Sequence, residues 1–333
     1  MGVRCNGGDI PEKTSFDSVE CMTKILNFGS LNIDYVYKMD HIIIPGETQA
    51  SLSRELFPGG KGLNQSVAGA KAGGRVFHAG AVGNGDNEIL LTTLKKAGVD
   101  LTYLKHHDDV PSGHTVIQVD KNGQNSIILF GGANRSLKRS EIDETFEYFS
   151  KGDVLILQNE VNELEYLIKR GSELGFKIAF NVSPFSEELL DLPLEKCAWL
   201  LVNEVEAAGI ARMTPDAPAS SLLQGISSKL PDCNIVLTLE TRGSVYKQAD
   251  GKLFAFGCYK VKALDTTGSG DTYTGFLLQA LASGKRVPEA MKLASCAAAI
   301  SVTRMGAASS VPDLNEVLSS ELYQGDDPKA PLL

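Results

Sequence analysis

The chain has 333 residues, 43% of them hydrophobic, and a net charge of −9. That length and composition support one large α/β domain or two small ones and exclude wholesale disorder. The acidic balance argues against a nucleic-acid partner, which needs a basic surface, and no apolar run approaches the roughly 18 residues of a membrane span.

Residues 1–22 are polar, lack an apolar leader core and read as a tail. From Lys24 onward, short apolar runs alternate with helical patterns. "KILNFGS" is a strand ending in a glycine turn. "QSVAGAKAGG" (Gln65 to Gly74) is a small-residue helix stopped by Gly-Gly. "VFHAGAVG" is a strand, and Asn87 to Val99 is a helix stopped by Gly98. "DVLILQN" (Asp153 to Asn159) is a continuous apolar run of the buried parallel-strand type. "NELEYLIKRGSELG" is a helix, "KIAFNVSP" a strand, and "WLLVNEVEAAGI" a strand running into a helix. "NIVLTLE" and "VYKQ" are strands around the turn "TRGS". A helix follows Asp271 as far as Gly284, and a long small-residue helix runs from Pro288 to Gly306. The last residues, "YQGDDPKAPLL", read as a loose tail.

This alternation predicts an α/β fold with a doubly wound, mostly parallel sheet flanked by helices. Two regions break the rhythm. Tyr35 to Leu56 and Gly113 to Gly132 read as antiparallel strands, the second with turn signals at 122–124. They are expected to form a small accessory β-sheet, a lid over a cleft, within one domain spanning 23–318 (lid segments about 35–57 and 110–132), with 319–333 as the C-terminal tail. The six cysteines form no C-x-x-C pair and read as free thiols in a reducing cytosol, the expected location. The five histidines form no zinc set, and His106-His107 reads as a polar loop pair.

The chemistry concentrates in "DTTGSGDT". A strand is expected to feed the turn Gly268-Ser269-Gly270, and a helix to leave it at Asp271. The first amides of a helix lack internal partners at the positive end of its dipole, and glycines let a ligand approach them. The turn can therefore cradle a phosphate, with Asp271 as a base that takes a proton from an attacking hydroxyl. Alone, it reads equally well as a capped helix with a flexible turn. The chain has no Walker P-loop, and "GAVGNGDNE" has Glu88 where a dinucleotide fingerprint needs its third glycine. "FPGGKGLNQ" at a helix start and "GSLNID" after the first strand read, taken singly, as turn chemistry.

Together these pieces carry a resemblance. From about Lys24 to Pro312 the sequence resembles the ribokinase-like (PfkB) carbohydrate kinases, through "GSLNID", "PGET", "GGKGLNQ", "LQNE", "NVSP", "LVNEVEA", "LTLETRGSVY", "DTTGSGDT" and "AISVTRMGAASSVP" in the family's order. The resemblance implies an ATP-dependent sugar kinase, D-ribose being the favoured substrate. Other sugar or nucleoside kinases of the family, and a catalytically silent binding regulator, are the alternatives. It implies Asp271 as the base, with the amides of Gly268, Ser269 and Gly270 as the anion hole. It implies sugar contacts from Asn32, Asp34, Gly59, Gly60, Lys61, Asn64 and Glu160. Asn203 and Glu206 match an N-x-x-E motif that organises Mg²⁺ and phosphate, and Thr238, Gly243 and Ser295 fall at nucleotide positions. Asp265 and Thr267, with Ser301, Arg304, Gly306 and Ser310, match a monovalent-cation (K⁺) site, and a homodimer through the lid is implied. The sequence departs from the pattern at Glu240, where a small residue is usual beside the nucleotide. It departs also at Phe276 in the helix after the base and at Glu88-Ile89.

Overall fold

The computed structural model describes residues 23–85 and 87–331; the polar segment 1–22, with Cys5 and Cys21, lies outside them. In chain order the strands are β1 (Ile25–Phe28), β2 (Asn32–Lys38), β3 (Ser53–Gly59), β4 (Val76–Gly83), β5 (Leu104–His107), β6 (Gly113–Val119), β7 (Asn125–Phe130), β8 (Val154–Gln158), β9 (Lys177–Asn181), β10 (Trp199–Asn203), β11 (Asn234–Thr238), β12 (Ser244–Lys247) and β13 (Leu253–Phe256). The helices are α1 (Lys61–Lys71), α2 (Glu88–Lys96), α3 (Arg139–Phe146), α4 (Leu164–Glu173), α5 (Glu204–Ala211), α6 (Ala219–Lys229), α7 (Ser269–Ala282), α8 (Val287–Ser301), α9 (Leu314–Ser319) and α10 (Glu321–Gln324).

Nine strands form the main sheet in the order β13-β12-β11-β10-β9-β8-β1-β4-β5. It is parallel from β11 to β5, and β12 and β13 add an antiparallel edge. The inner strands β1, β4 and β8 are buried along their whole length, which is why they read as unbroken apolar runs. Alternate side chains enter two apolar layers. Ile25, Ile156 and Leu201 pack with Leu63, Leu277 and Ala294, from α1, α7 and α8. Leu26, Leu155 and Leu200 pack with Phe146, Leu167 and Leu222, from α3, α4 and α6. Phe276, the unusual residue in α7, is fully buried in the first layer.

The second sheet has the order β3-β2-β6-β7. The two expected hairpins are present, β2 with β3 and β6 with β7. They are joined by a parallel pair, Asn32 opposite Gly113, rather than by antiparallel pairing throughout. Only Gly29 to Leu31 separate β1 from β2, and only Gly60 separates β3 from α1. The base of the lid therefore delivers Asn32, Asp34 and Gly59 to the carboxyl edge of the main sheet, where open α/β sheets bind ligands.

Several expectations need correction. α8 stops at Ser301, five residues early, so Arg304 and Gly306 lie in a loop. His106 and His107 lie on β5, not in a loop; His107 is buried and hydrogen-bonded to Ser136 and Glu141. The segment after Ser319 is docked. Lys292 pairs with Asp327 at 2.7 Å and stacks on Tyr323, and the Lys329 carbonyl lies against Gly257. Among the described residues no helix is long and apolar enough to cross a membrane.

Candidate active site

α7 is preceded by Gly268 at its N-cap, whose φ of 73° is left-handed backbone that favours glycine. The expected feeding strand is absent. Val261 to Asp265 is irregular and is tied to the neighbouring loop, the amides of Leu264 and Asp265 donating to the Val302 carbonyl. Asp271 is the third residue of α7. The Ser269 amide makes a long bond of 3.3 Å to the Thr266 carbonyl, whereas the amides of Gly268, Gly270 and Asp271 find no acceptor among the described residues. Free donors at the positive end of a helix are an anion site.

These residues open into a cavity of about 150 Å³ whose walls include Lys61, Asn203, Glu206, Thr238, Ser269 and Asp271. Asp271 is 8% exposed and both its oxygens are held: Asn64 Nδ2 donates to Oδ2 at 3.0 Å and Gln65 Nε2 to Oδ1 at 2.9 Å. Lys61 supplies the facing positive charge. Burial pulls its pKa down, but the carboxylates of Asp271, Glu160 and Glu206 outweigh that and raise it. Gly243 and Ser295 do not line this cavity; Gly243 has a φ of 103°, and a Cβ there would strike the Phe256 carbonyl.

The residues expected to contact the sugar converge beside Lys61. Glu160 accepts from the Lys61 amide at 3.0 Å and from the Ser30 hydroxyl. Burial nevertheless raises its pKa. Asp34 accepts from Thr115 at 2.6 Å, and burial raises its pKa also. Gly59 lies so close that a Cβ would sit 2.1 Å from the Asp34 carboxylate, and Gly60, with a φ of 94°, lets the chain turn from β3 into α1. Two half-buried carboxylates held above their ordinary range are costly to keep without a ligand, a mark of a binding site.

Asn203 and Glu206 form a reciprocal cap on α5, each side chain meeting the other's amide at 2.9 Å. This leaves one carboxylate oxygen of Glu206 and the Asn203 amide nitrogen uncommitted at the cavity wall. One free carboxylate suits a Mg²⁺ ion that keeps most of its waters, and among the described residues no cluster of three His, Cys, Asp or Glu side chains exists that could hold a metal directly. Behind the α7 turn, Asp265 accepts from the amide and hydroxyl of Thr267 and from the Gly306 amide. Burial pulls its pKa up, but these donors hold it below the usual range. They bring Asp265, Thr267 and the loop after Ser301 together, a set rich in oxygens. Arg304 turns its guanidinium away to Glu316, and the Ser310 hydroxyl donates to the Ala307 carbonyl.

Two residues were not singled out from the sequence. Gln65 holds Asp271, and Asn134 donates to Asn32 Oδ1 at 2.8 Å while accepting from the Leu31 amide at 2.9 Å. Asn134 thereby fixes the Asn32 amide so that its nitrogen is left to donate. The signal was there: "GGKGLNQ" places two amides side by side on α1, and "GGAN" puts an asparagine after a glycine pair. Glu240 stands in a single 3₁₀ turn with a φ of 49° and faces solvent, while Arg242 beside it pairs with Glu204.

A family model described as pfkB family carbohydrate kinase matches residues 22–314. A ribokinase from Haemophilus influenzae is 31% identical over 303 residues, covering 87% of this chain and 95% of that protein. A deoxyribokinase from Salmonella typhimurium is 32% identical over 307 residues, covering 87% and 97%. The solved structure of Arabidopsis thaliana ribokinase complexed with ribose and ATP matches with a TM-score of 0.81 and 26% identity, covering 92% of this chain and all of that one.

Proposed function

The chain belongs to the pfkB family of carbohydrate kinases, and we propose that it transfers the γ-phosphoryl group of ATP to the 5-hydroxyl of D-ribose. The products are ribose 5-phosphate, ADP and a proton. The observation that carries this reading is Asp271, held between two amide donors and seated among free helix-terminal amides.

Asn32, Asp34, Lys61, Asn64 and Glu160 hold the sugar, since carboxylates and amides each pair with neighbouring hydroxyls. Asp271 takes the hydroxyl proton as the new oxygen–phosphorus bond forms and the bond from the γ-phosphorus to the ADP oxygen breaks. The free amides of Gly268, Gly270 and Asp271, with Lys61, meet the charge spread over the transferring group. Asn203 and Glu206 would hold Mg²⁺ through water, and it would neutralise phosphate charge. Asp265, Thr267 and carbonyls around Ser301, Arg304 and Gly306 would hold K⁺, supporting the α7 turn from behind. Thr238, Gly243 and Ser295 would contact the nucleotide. The lid sheet would close over the sugar and exclude water.

A homodimer through the lid is part of the proposal. Ile127, Ile128, Leu129 and Phe130 on the edge strand β7 are about half exposed, a row of apolar side chains and free backbone groups that a second copy can cover. The cytosol is the proposed setting, in keeping with free thiols at Cys197, Cys233, Cys258 and Cys296.

One specific observation favours 2-deoxyribose as a second reading: the Salmonella deoxyribokinase is as similar to this chain as the ribokinase is. The test is ADP release by the purified protein with Mg-ATP and K⁺ across ribose, 2-deoxyribose, fructose, adenosine and no sugar. Turnover highest with ribose bears out the proposal. Turnover highest with another acceptor keeps the chemistry and replaces the substrate. Silence from a folded protein removes the kinase reading in favour of a binding regulator.

A further inference from the structure

An ionised carboxylate only accepts hydrogen bonds, so Gln65 must turn its nitrogen to Asp271. The same nitrogen also donates to Asn181 Oδ1 at 3.0 Å. The Gln65 oxygen then faces into the protein, where Gln158 Nε2 meets it at 2.8 Å. The second hydrogen of Gln158 goes to Asn27 Oδ1 at 3.0 Å, and the Asn27 nitrogen is committed to the Gly62 carbonyl and the Ser66 hydroxyl, both at 2.9 Å. Gln65, Gln158 and Asn27 are all 0% exposed. One end of this chain of amides is a backbone carbonyl and the other is a carboxylate. Neither can donate, so each amide between them has one permitted orientation. Gln158 keeps that orientation although its own oxygen is left without a partner.

We propose that Gln65 is a positioning residue for the base. Locked by Gln158 and Asn27, it pins Oδ1 of Asp271, so that the central strands β1 and β8 set the aim of a group on α7. The inference rests on Asp271 being the base. The other charged groups facing Asp271 are Lys61 from α1 and Glu160 beyond β8, with Glu206 of α5 acting on Lys61; the variants below leave all three in place.

The test is Gln65→Leu in the full chain, with kcat and KM for ribose measured beside a melting curve. kcat is expected to fall about 10- to 100-fold with KM for ribose nearly unchanged. Gln158→Met, one bond further from the base, is expected to lower kcat by less, again with KM nearly unchanged. A folded Gln65→Leu protein with the original kcat overturns the proposal, as does a loss confined to melting temperature. Should neither variant fold, the unsubstituted protein decides. With ¹⁵N-labelled glutamine, the Gln65 side-chain amide is expected to resist solvent exchange; a Gln65 amide that exchanges as freely as an exposed one overturns it. Asp271→Asn separates the two ideas. If that variant turns over, the base assignment fails; if it is dead while Gln65→Leu is unaffected, only the positioning role fails.

Discussion

Gly275 sits one helical turn beyond Asp271 on α7 and meets α1 one turn beyond Asn64. A Cβ added there would lie 2.4 Å from Ala68 Cβ, 2.7 Å from the Gly69 nitrogen and 2.9 Å from the Ala68 carbonyl carbon. None of these is the tip of a flexible side chain, so the two helices must part. Opening the closest contact to the roughly 3.5 Å of ordinary carbon packing moves α7 about 1 Å from α1. The bonds from Asn64 and Gln65 to Asp271, 3.0 and 2.9 Å long, would stretch toward 4 Å and cease to be hydrogen bonds. Gly275→Ala is therefore expected to cost about 1–3 kcal/mol of stability by overpacking. It should also lower kcat on the order of 100-fold, the effect of a 1 Å misplacement of a catalytic group. Gly270→Ala is the comparison, because its Cβ meets nothing within 4 Å. It should leave the melting temperature the same or slightly higher, since alanine loses less freedom than glycine on folding, and lower turnover by crowding the approach of phosphate to the free amides. The assay is thermal melting and steady-state kinetics on both proteins. A Gly275→Ala enzyme with unchanged melting and kcat would refute the coupling of helix packing to the base.

Glu160→Gln should bind sugar more weakly yet stabilise the unliganded protein. Burial raises the folded pKa of Glu160, so the native state holds a proton that the unfolded chain gives up, and stability falls as pH rises from about 4.3 through the raised value. The gain from Gln, about 1 kcal/mol, should thus be absent at pH 4 and present at pH 8 in melting curves; the same gain at both would contradict the burial argument. Glu240→Gly should stabilise the protein by about 0.5 kcal/mol, because left-handed backbone costs a non-glycine residue about 1–2 kcal/mol and the freedom of unfolded glycine takes part of that back. Tighter ATP binding in both Glu240→Gly and Glu240→Gln would trace the effect to charge rather than backbone. Activity in K⁺ should exceed activity in tetramethylammonium, and Asp265→Asn should erase most of that difference; equal rates in the two salts would remove the cation site.

Much of the fold is legible because β1, β4, β8, β10 and β11 are short apolar runs between helical patterns, as a doubly covered parallel sheet demands. What pattern cannot carry is the direction of pairing between distant strands. The parallel contact of β2 with β6 joins residues about 81 apart in sequence, and nothing local to either strand distinguishes it from an antiparallel one. β5 and β13 are four-residue edge strands with weak alternation. The end of α8 was misjudged because Val302 to Gly306 has no breaker before Gly306. In the site, the turn at Asp271 and the glycines around Lys61 are readable because helix starts and close approaches restrict residue type. The amides beneath them are not, since Asn27 looks like a lone polar residue inside an apolar run and Gln158 like the polar end of one, and their roles arise only from register: Gln158 lies directly opposite Asn181.

The central claim is that Asp271 does chemistry rather than holding the helix or the sugar. Asp271→Asn keeps the shape of the residue and removes its capacity to take a proton. The measurement is kcat for ADP formation with ribose, alongside calorimetric ribose binding to the same protein. The account predicts a loss of about 10²- to 10⁴-fold in kcat with ribose affinity largely retained. A variant that binds ribose and turns over at close to the original rate would contradict it.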